Sequence, residues 1–235
     1  MDTLKLCIDI GNTSTKAAVY NGDSEIEYIE LFTVDDYKRI TAKPTELLVS
    51  KTGSYPELEA VLRPEHYLSH TTPLPIALDY DTPHTLGRDR IATAAAAFYI
   101  DPISPWLIVD LGTCLTVDLL VDGVFLGGLI APGVQMRLKA MHTFTAGLPL
   151  VEYNYDVRFP GKSTEESLQA GVCQSIRYEL EGHIREMNVQ FPGLKIVDCS
   201  RVEILFGNEV KNEIFARSKS VLQGLKNIIE YNAKN

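Results

Sequence analysis

The sequence predicts an α/β protein of two similar domains, related by internal duplication, with a cleft between them. Three observations lead there. A short stretch occurs twice, as Asp9-Ile10-Gly11-Asn12-Thr13-Ser14-Thr15-Lys16 after the apolar run Leu4 to Ile8, and as Asp110-Leu111-Gly112-Thr113-Cys114-Leu115-Thr116 after Trp106 to Val109. Each copy continues through a second apolar run to a turn dipeptide, Asn21-Gly22 or Asp122-Gly123, at one constant spacing along the chain. Asn-Gly and Asp-Gly between apolar runs are strong hairpin signals. Finally, 235 residues of 45% hydrophobic composition suffice for one large domain or two small ones. The repeat selects two, over residues 1–103 and 104–235.

The elements follow in order. After the first hairpin, Glu25 to Val34 alternates as a third strand, and Asp35-Asp36 open a short helix to Ile40, acids in the first turn where the helix dipole favours them. Thr45 to Ser50 reads as a strand and Tyr55 to Leu62 as a short helix, while 66–81 reads as irregular. The alanine run after Arg90 is strong helix-forming sequence. Its small side chains permit close helix approach, which makes it a candidate dimer seam. In the second half, Gly127-Gly128 suggests close backbone packing or a ligand crevice. Pro132 is expected to start a helix whose Met136, Met141 and Phe144 face the core. Residues 145–161 read as a loop. Ser163-Thr164-Glu165-Glu166 reads as a capping box before a long helix with a buried stripe of Leu168, Val172, Ile176, Leu180, Ile184 and Met187. Leu194 to Val197 and Val202 to Phe206 read as strands, Gly207-Asn208-Glu209 as a turn into a helix, and Ser220 onward as a final helix.

The repeated hairpin suits phosphate. Glycine lets backbone N–H groups approach an anion, Thr and Asn add donors, and Lys16 supplies a point charge. Aspartates at the strand ends can hold a hard cation, directly or through water. Gly87-Arg88-Asp89-Arg90 lies at the start of the alanine helix. Asp89 there is either a first-turn acid serving the dipole or a carboxylate beside an anionic substrate, and its two arginine neighbours predict a lowered pKa. Ser163 and Thr164 are helix caps, or Thr164 offers a hydroxyl at an anion-binding helix start.

Composition narrows the field. A net charge of −9 argues against a nucleic-acid surface. The apolar stretch from Ile91 to Val109 is broken by Asp101, Pro102 and Pro105, so no membrane span is expected. Four scattered cysteines with no metal spacing, and no signal peptide before the first strand, predict a reduced, cytoplasmic protein. The five histidines form no metal motif and read as solvated or satisfied core residues.

The paired hairpins resemble those of the actin-like ATPase superfamily, which implies two ribonuclease-H-like domains. No Walker P-loop is present. Nearly the whole chain looks like type III pantothenate kinase. The resemblance rests on Asp9-Ile10-Gly11-Asn12-Thr13 with Lys16, on Gly87-Arg88-Asp89-Arg90, and on Asp110 to Thr116. It continues through Gly127 to Gly133, Gly147-Leu148-Pro149, Ser163-Thr164 and Gly224-Leu225. It implies ATP-dependent phosphorylation of pantothenate to 4′-phosphopantothenate, the first step towards coenzyme A, by a homodimer that needs Mg²⁺ and a monovalent cation, K⁺ or NH₄⁺. By motif position, Asp9, Ile10, Gly11, Asn12, Thr13, Ser14, Thr15, Lys16 and Thr113 would bind ATP, and Asp9 would also serve Mg²⁺. Asp110 would hold the monovalent cation. Tyr80, Gly87, Arg88, Asp89, Arg90 and Thr164 would bind pantothenate, with Asp89 the proton acceptor. One departure stands out: Phe206-Gly207-Asn208 replaces the Thr-Gly-Gly often found near the adenosine, which predicts loosened base recognition. The alternatives are a superfamily kinase acting on another small alcohol or sugar, or a non-catalytic regulatory homologue.

Overall fold

The computed structural model describes residues 3–200, 210, 214–217 and 219–234. The expected strand Val202–Phe206, the turn after it and the Phe206-Gly207-Asn208 departure lie outside the described residues. The chain divides into two compact units, one of Met1–Ile103, Leu120–Gly127 and Lys219–Asn235, the other of Ser104–Leu119 and Gly128–Ser218.

In the first unit, β1 (Leu4–Ile10), β2 (Thr15–Asn21), β3 (Ser24–Ile29) and β4 (Thr45–Lys51) form a sheet of order β3-β2-β1-β4. β1 pairs antiparallel with β2 and parallel with β4. The hairpin at Asn21-Gly22 forms as expected, with Gly22 at φ 57°. β3 stops at Ile29, short of Val34, because the chain turns to bury Phe32 and to cap a helix at Thr33. That helix, α1 (Val34–Thr41), has reciprocal caps: Thr33 Oγ1 accepts from Asp36 N at 3.2 Å, and Asp36 Oδ2 accepts from Thr33 N at 3.1 Å. The expected helix after Tyr55 shrinks to α2 (Pro56–Glu59). Leu6, Ile8, Ile10, Ala17, Val19 and Val49 meet Ile40, Leu58 and Leu62 in the core on one side of the sheet.

Within the stretch expected to be irregular, Ala77–Leu78 forms a two-residue strand, β5. α3 (Arg88–Ile100) carries the alanines, and Arg90 to Ala97 are all buried within the single chain. The close approach they permit is taken up by the C-terminal helix: a Cβ on Gly224 would stand 1.8 Å from the Ala92 carbonyl oxygen. The alanine face is therefore an internal seam, not a surface left for a second subunit.

In the second unit, β6 (Trp106–Leu111), β7 (Cys114–Val121) and β8 (Val124–Pro132) follow one another in the sheet, with the outer end of the β7–β8 hairpin, Leu120–Gly127, counted with the first unit. Asp122 and Gly123 both have positive φ, 51° and 71°, as a type I′ turn requires. Pro132 ends β8 instead of opening the next helix. Its carbonyl accepts from Arg137 Nε at 2.7 Å, and α4 (Val134–Phe144) starts after Gly133. Val134 and Leu138 are the buried residues of α4 and Met141 packs against the same core, whereas Met136 and Phe144, expected inside, are exposed. α5 (Thr164–Gln190) buries Leu168, Val172, Ile176, Leu180 and Ile184 as one stripe. Its cap is only half the expected box: Ser163 Oγ accepts from Glu166 N at 3.1 Å, but the Glu166 carboxylate accepts from Lys162 N. β9 (Lys195–Asp198) pairs parallel with β6 and with β10 (Ile214–Ala216), and the sheet runs β10-β9-β6-β7-β8-β5. α6 (Ser220–Asn232) returns to the first unit. Its Lys226 is 5% exposed at the side chain and pairs with Asp23 at 2.8 Å and Glu230 at 3.0 Å. Among the described residues no helix is long and apolar enough to cross a membrane.

Candidate active site

The candidate residues fall into three groups. The first sits where β1 turns into β2. Gly11 N donates to Ser14 O at 3.2 Å, which leaves Asn12 and Thr13 exposed at the tip. Ile10 is wholly buried in the core, and its carbonyl accepts from Thr52 N at 2.9 Å and Gly53 N at 2.8 Å. It therefore shapes the turn through its backbone. Thr15 O accepts from Phe32 N at 2.9 Å. Asp9 pairs in register with Lys16 on one side and Ser50 on the other. Lys16 Nζ stands 3.8 Å from Glu30 Oε1, a loose contact to a largely exposed carboxylate. Ser14 Oγ is buried with no hydrogen-bond partner within the protein.

The second group is the start of α3. Asp89 Oδ1 accepts from Arg90 N at 2.8 Å, and a Cβ on Gly87 would stand 2.6 Å from that oxygen, so glycine leaves room for the carboxylate to fold back. Burial pushes the Asp89 pKa up, and the Arg90 backbone N–H and guanidinium only partly offset it. The expectation of a lowered pKa is thus reversed, because desolvation outweighs the neighbouring charge. Arg88 turns away: its guanidinium donates to Leu86 O at 2.7 Å, His84 O at 3.0 Å and Pro83 O at 3.3 Å, holding the preceding loop. The Arg90 guanidinium lies 6.0 Å from the Tyr80 ring centroid and 5.7 Å from that of Phe125, and the two rings lie 6.2 Å apart. Tyr80 is therefore gathered with Arg90, through an aromatic partner that nothing in its local sequence announces.

The third group belongs to the second unit. Asp110 and Leu111 end β6, and Thr113 is exposed at the following turn. Gly112 N donates to Cys114 O at 2.9 Å, and Gly133 N to Thr113 O at 3.1 Å. Thr164 stands exposed in the first turn of α5. Sequence reasoning missed the neighbours at the end of β9. Ser200 Oγ accepts from Leu111 N at 2.8 Å, and Asp198 Oδ1 accepts from Ser200 N at 2.9 Å. Burial raises the Asp198 pKa against the two Ser200 hydrogen bonds. It missed Ser50 as well. The available signal was position: both β4 and β9 run parallel to a hairpin strand, and ligands of open α/β sheets gather beyond the carboxyl ends of parallel strands.

Among the described residues no three His, Cys, Asp or Glu side chains cluster as a metal cage. Mg²⁺ in kinases is held by one or two carboxylates, substrate phosphates and water, so a lone strand-end aspartate fits that role.

The fold matches solved structures with little sequence in common. A protein assigned as a 2-dehydro-3-deoxygalactonokinase from Sinorhizobium meliloti superposes with TM-score 0.63 at 10% identity, covering 97% of this chain and 99% of that one. A Baf-family transcriptional activator from Campylobacter jejuni gives 0.62 at 21%, covering 98% and 100%. MreB5 of Spiroplasma citri bound to ADP gives 0.52 at 13%, covering 99% of each. These likenesses show that the mixed α/β fold is shared with those proteins. The model of the type III pantothenate kinase family matches residues 58–186. Type III pantothenate kinases of Christiangramia forsetii and Phocaeicola vulgatus are 38% and 35% identical, over 97% and 98% of this chain and 99% and 100% of theirs. The chain belongs to the type III pantothenate kinase family.

Proposed function

We propose that the chain transfers the γ-phosphoryl group of ATP to pantothenate, giving 4′-phosphopantothenate for coenzyme A synthesis. The observation that carries this is the near-full-length identity to curated type III pantothenate kinases. In this reading Asp9 to Lys16 and Thr113 bind the triphosphate, with Asp9 also serving Mg²⁺ directly or through water. Asp110 holds K⁺ or NH₄⁺. Tyr80, Gly87, Arg88, Asp89, Arg90 and Thr164 surround pantothenate. Mg²⁺, when bound, neutralises charge on the phosphates, as a loose phosphoryl-transfer transition state requires.

Asp89 is the base that takes the hydroxyl proton of pantothenate. Its raised pKa supports the role, because a carboxylate desolvated in this way holds a proton more readily than an ordinary aspartate. Arg88 contributes by holding the loop from Pro83 to Leu86 against the helix start. Arg90 is set by the Tyr80 and Phe125 rings and offers charge to the pantothenate carboxylate.

The two hairpins mark two actin-like ATPase domains divided near residue 103, with the C-terminal helix α6 counted with the first. The shared strand order supports a duplication: β3-β2-β1-β4 in one sheet, β8-β7-β6-β9 within the other. The enzyme works as a cytoplasmic homodimer. Large apolar side chains left exposed on α4 and the segment after it, Phe144, Leu150 and Phe159, support a second subunit. A coupled assay of ATP turnover tests the activity, with pantothenate beside a panel of sugars and small alcohols. Turnover with pantothenate alone is expected; turnover only with another acceptor overturns the assignment.

A further inference from the structure

Ser50 lies at the carboxyl end of β4, is fully buried, and its hydroxyl has no hydrogen-bond partner within the protein. A buried hydroxyl without a partner is costly, and alanine would fill the same space without that cost. The register explains where it stands. Asp9 pairs with Ser50 across the parallel β1–β4 ladder and with Lys16 across the antiparallel β1–β2 ladder. Directly paired residues present their side chains on one face of a sheet. Lys16, Asp9 and Ser50 therefore form one row across three adjacent strands: a cation, a carboxylate and a hydroxyl. The next row inward on that face, Ala18, Cys7 and Leu48, is apolar and buried. The polar row thus ends an apolar surface at the point where the phosphate turn Gly11–Ser14 begins. Thr52 and Gly53, just beyond Ser50, hold that turn through the Ile10 carbonyl.

We propose that Ser50 is a positioning residue for the metal and triphosphate: its hydroxyl supplies a hydrogen bond to the water shell that Asp9 holds when Mg²⁺ and ATP bind. This rests on Asp9 serving the metal, as proposed above. A hydroxyl suits the task because it donates and accepts, so it can face either a carboxylate or a metal-bound water. Groups in this outer position orient the ligand carboxylate and tune metal affinity.

The test is calorimetric titration of ATP into the intact protein across a Mg²⁺ series, for the parent, Ser50→Ala and Asp9→Asn, with ligand-free melting curves for each. Ser50→Ala is expected to raise the Mg²⁺ needed for half-maximal ATP affinity about 10–100-fold, and to melt at or above the parent. The KM for pantothenate should be unmoved. A Ser50→Ala protein with the parent's Mg²⁺ dependence, beside an Asp9→Asn protein whose dependence is shifted, overturns the role of Ser50 and leaves the Asp9 reading standing. If neither variant shifts, the Asp9 reading fails and the proposal with it. A Ser50→Ala protein that melts well below the parent without ligand also overturns it, since the hydroxyl would then serve the fold.

Discussion

Asp89 Oδ1 accepts the backbone N–H of Arg90 at 2.8 Å, while the Arg90 guanidinium lies over Tyr80 and Phe125. The acid and the arginine meet through main chain, at a helix start that buries the carboxylate. Burial therefore governs its proton affinity.

Asp89→Asn is expected to lower kcat about 10²–10⁴-fold, the usual range for loss of a general base, while ATP still binds. The acid limb of the parent's kcat profile should lie above the ordinary aspartate range, with activity lost as pH falls through it. Stability should move the other way. The folded-state pKa is raised above the unfolded one, so the ionised carboxylate costs stability above the folded pKa, and the cost vanishes below the unfolded pKa. Asn keeps the acceptor oxygen without the charge, so melting at pH 7 should rise, by about 2–4 °C for each kcal/mol recovered. Near-normal kcat in Asp89→Asn would move the base elsewhere, with Asp110 the next candidate.

Asp110→Asn is expected to act through binding. Asp110 ends β6 next to the turn that exposes Thr113, as Asp9 ends β1 next to its own turn. Its loss should weaken K⁺ and Mg²⁺·ATP binding, with partial recovery at high K⁺. Steady-state kinetics across a K⁺ series, with nucleotide binding measured separately, checks this. Lost chemistry with intact cation and nucleotide binding would contradict it.

Gly224→Ala should destabilise the fold, since its Cβ would stand 1.8 Å from the Ala92 carbonyl oxygen and backbone cannot yield as a side chain can. Overpacking of this kind costs about 1–3 kcal/mol. Thermal melting reads it directly, and an unchanged melting temperature would show that α3 and α6 part easily.

Phe144→Asp and Phe159→Asp test the proposed dimer. Both side chains are exposed, 86% and 80%, so neither change should lower monomer stability much. Light scattering at micromolar concentration is expected to show a dimer for the parent and a shift towards monomer for the double variant. A parent that is monomeric and fully active removes the claim.

The sequence by itself determined the two hairpins and the family. Asp-x-Gly after an apolar run, then Asn-Gly or Asp-Gly, is local chemistry: turn residues and strand periodicity act over a few positions and need no distant partner. The buried stripe of α5 was legible for the same reason, since 3.6-residue periodicity is carried by the helix itself. Tertiary structure decided the rest. The alanines of α3 could have faced a partner or the chain's own α6, and only the packed Gly224 shows which. Phe144 looked like core because its spacing suited a helix face, but whether a face is covered depends on what packs there. Asp89 between two arginines looked acidic, yet Arg88 is drawn to three carbonyls and burial reverses the sign. Ser50 carried no signal until strand register set it beside Asp9. Burial, register and the choice of partner belong to residues far apart in the chain, so only the folded molecule assigns them.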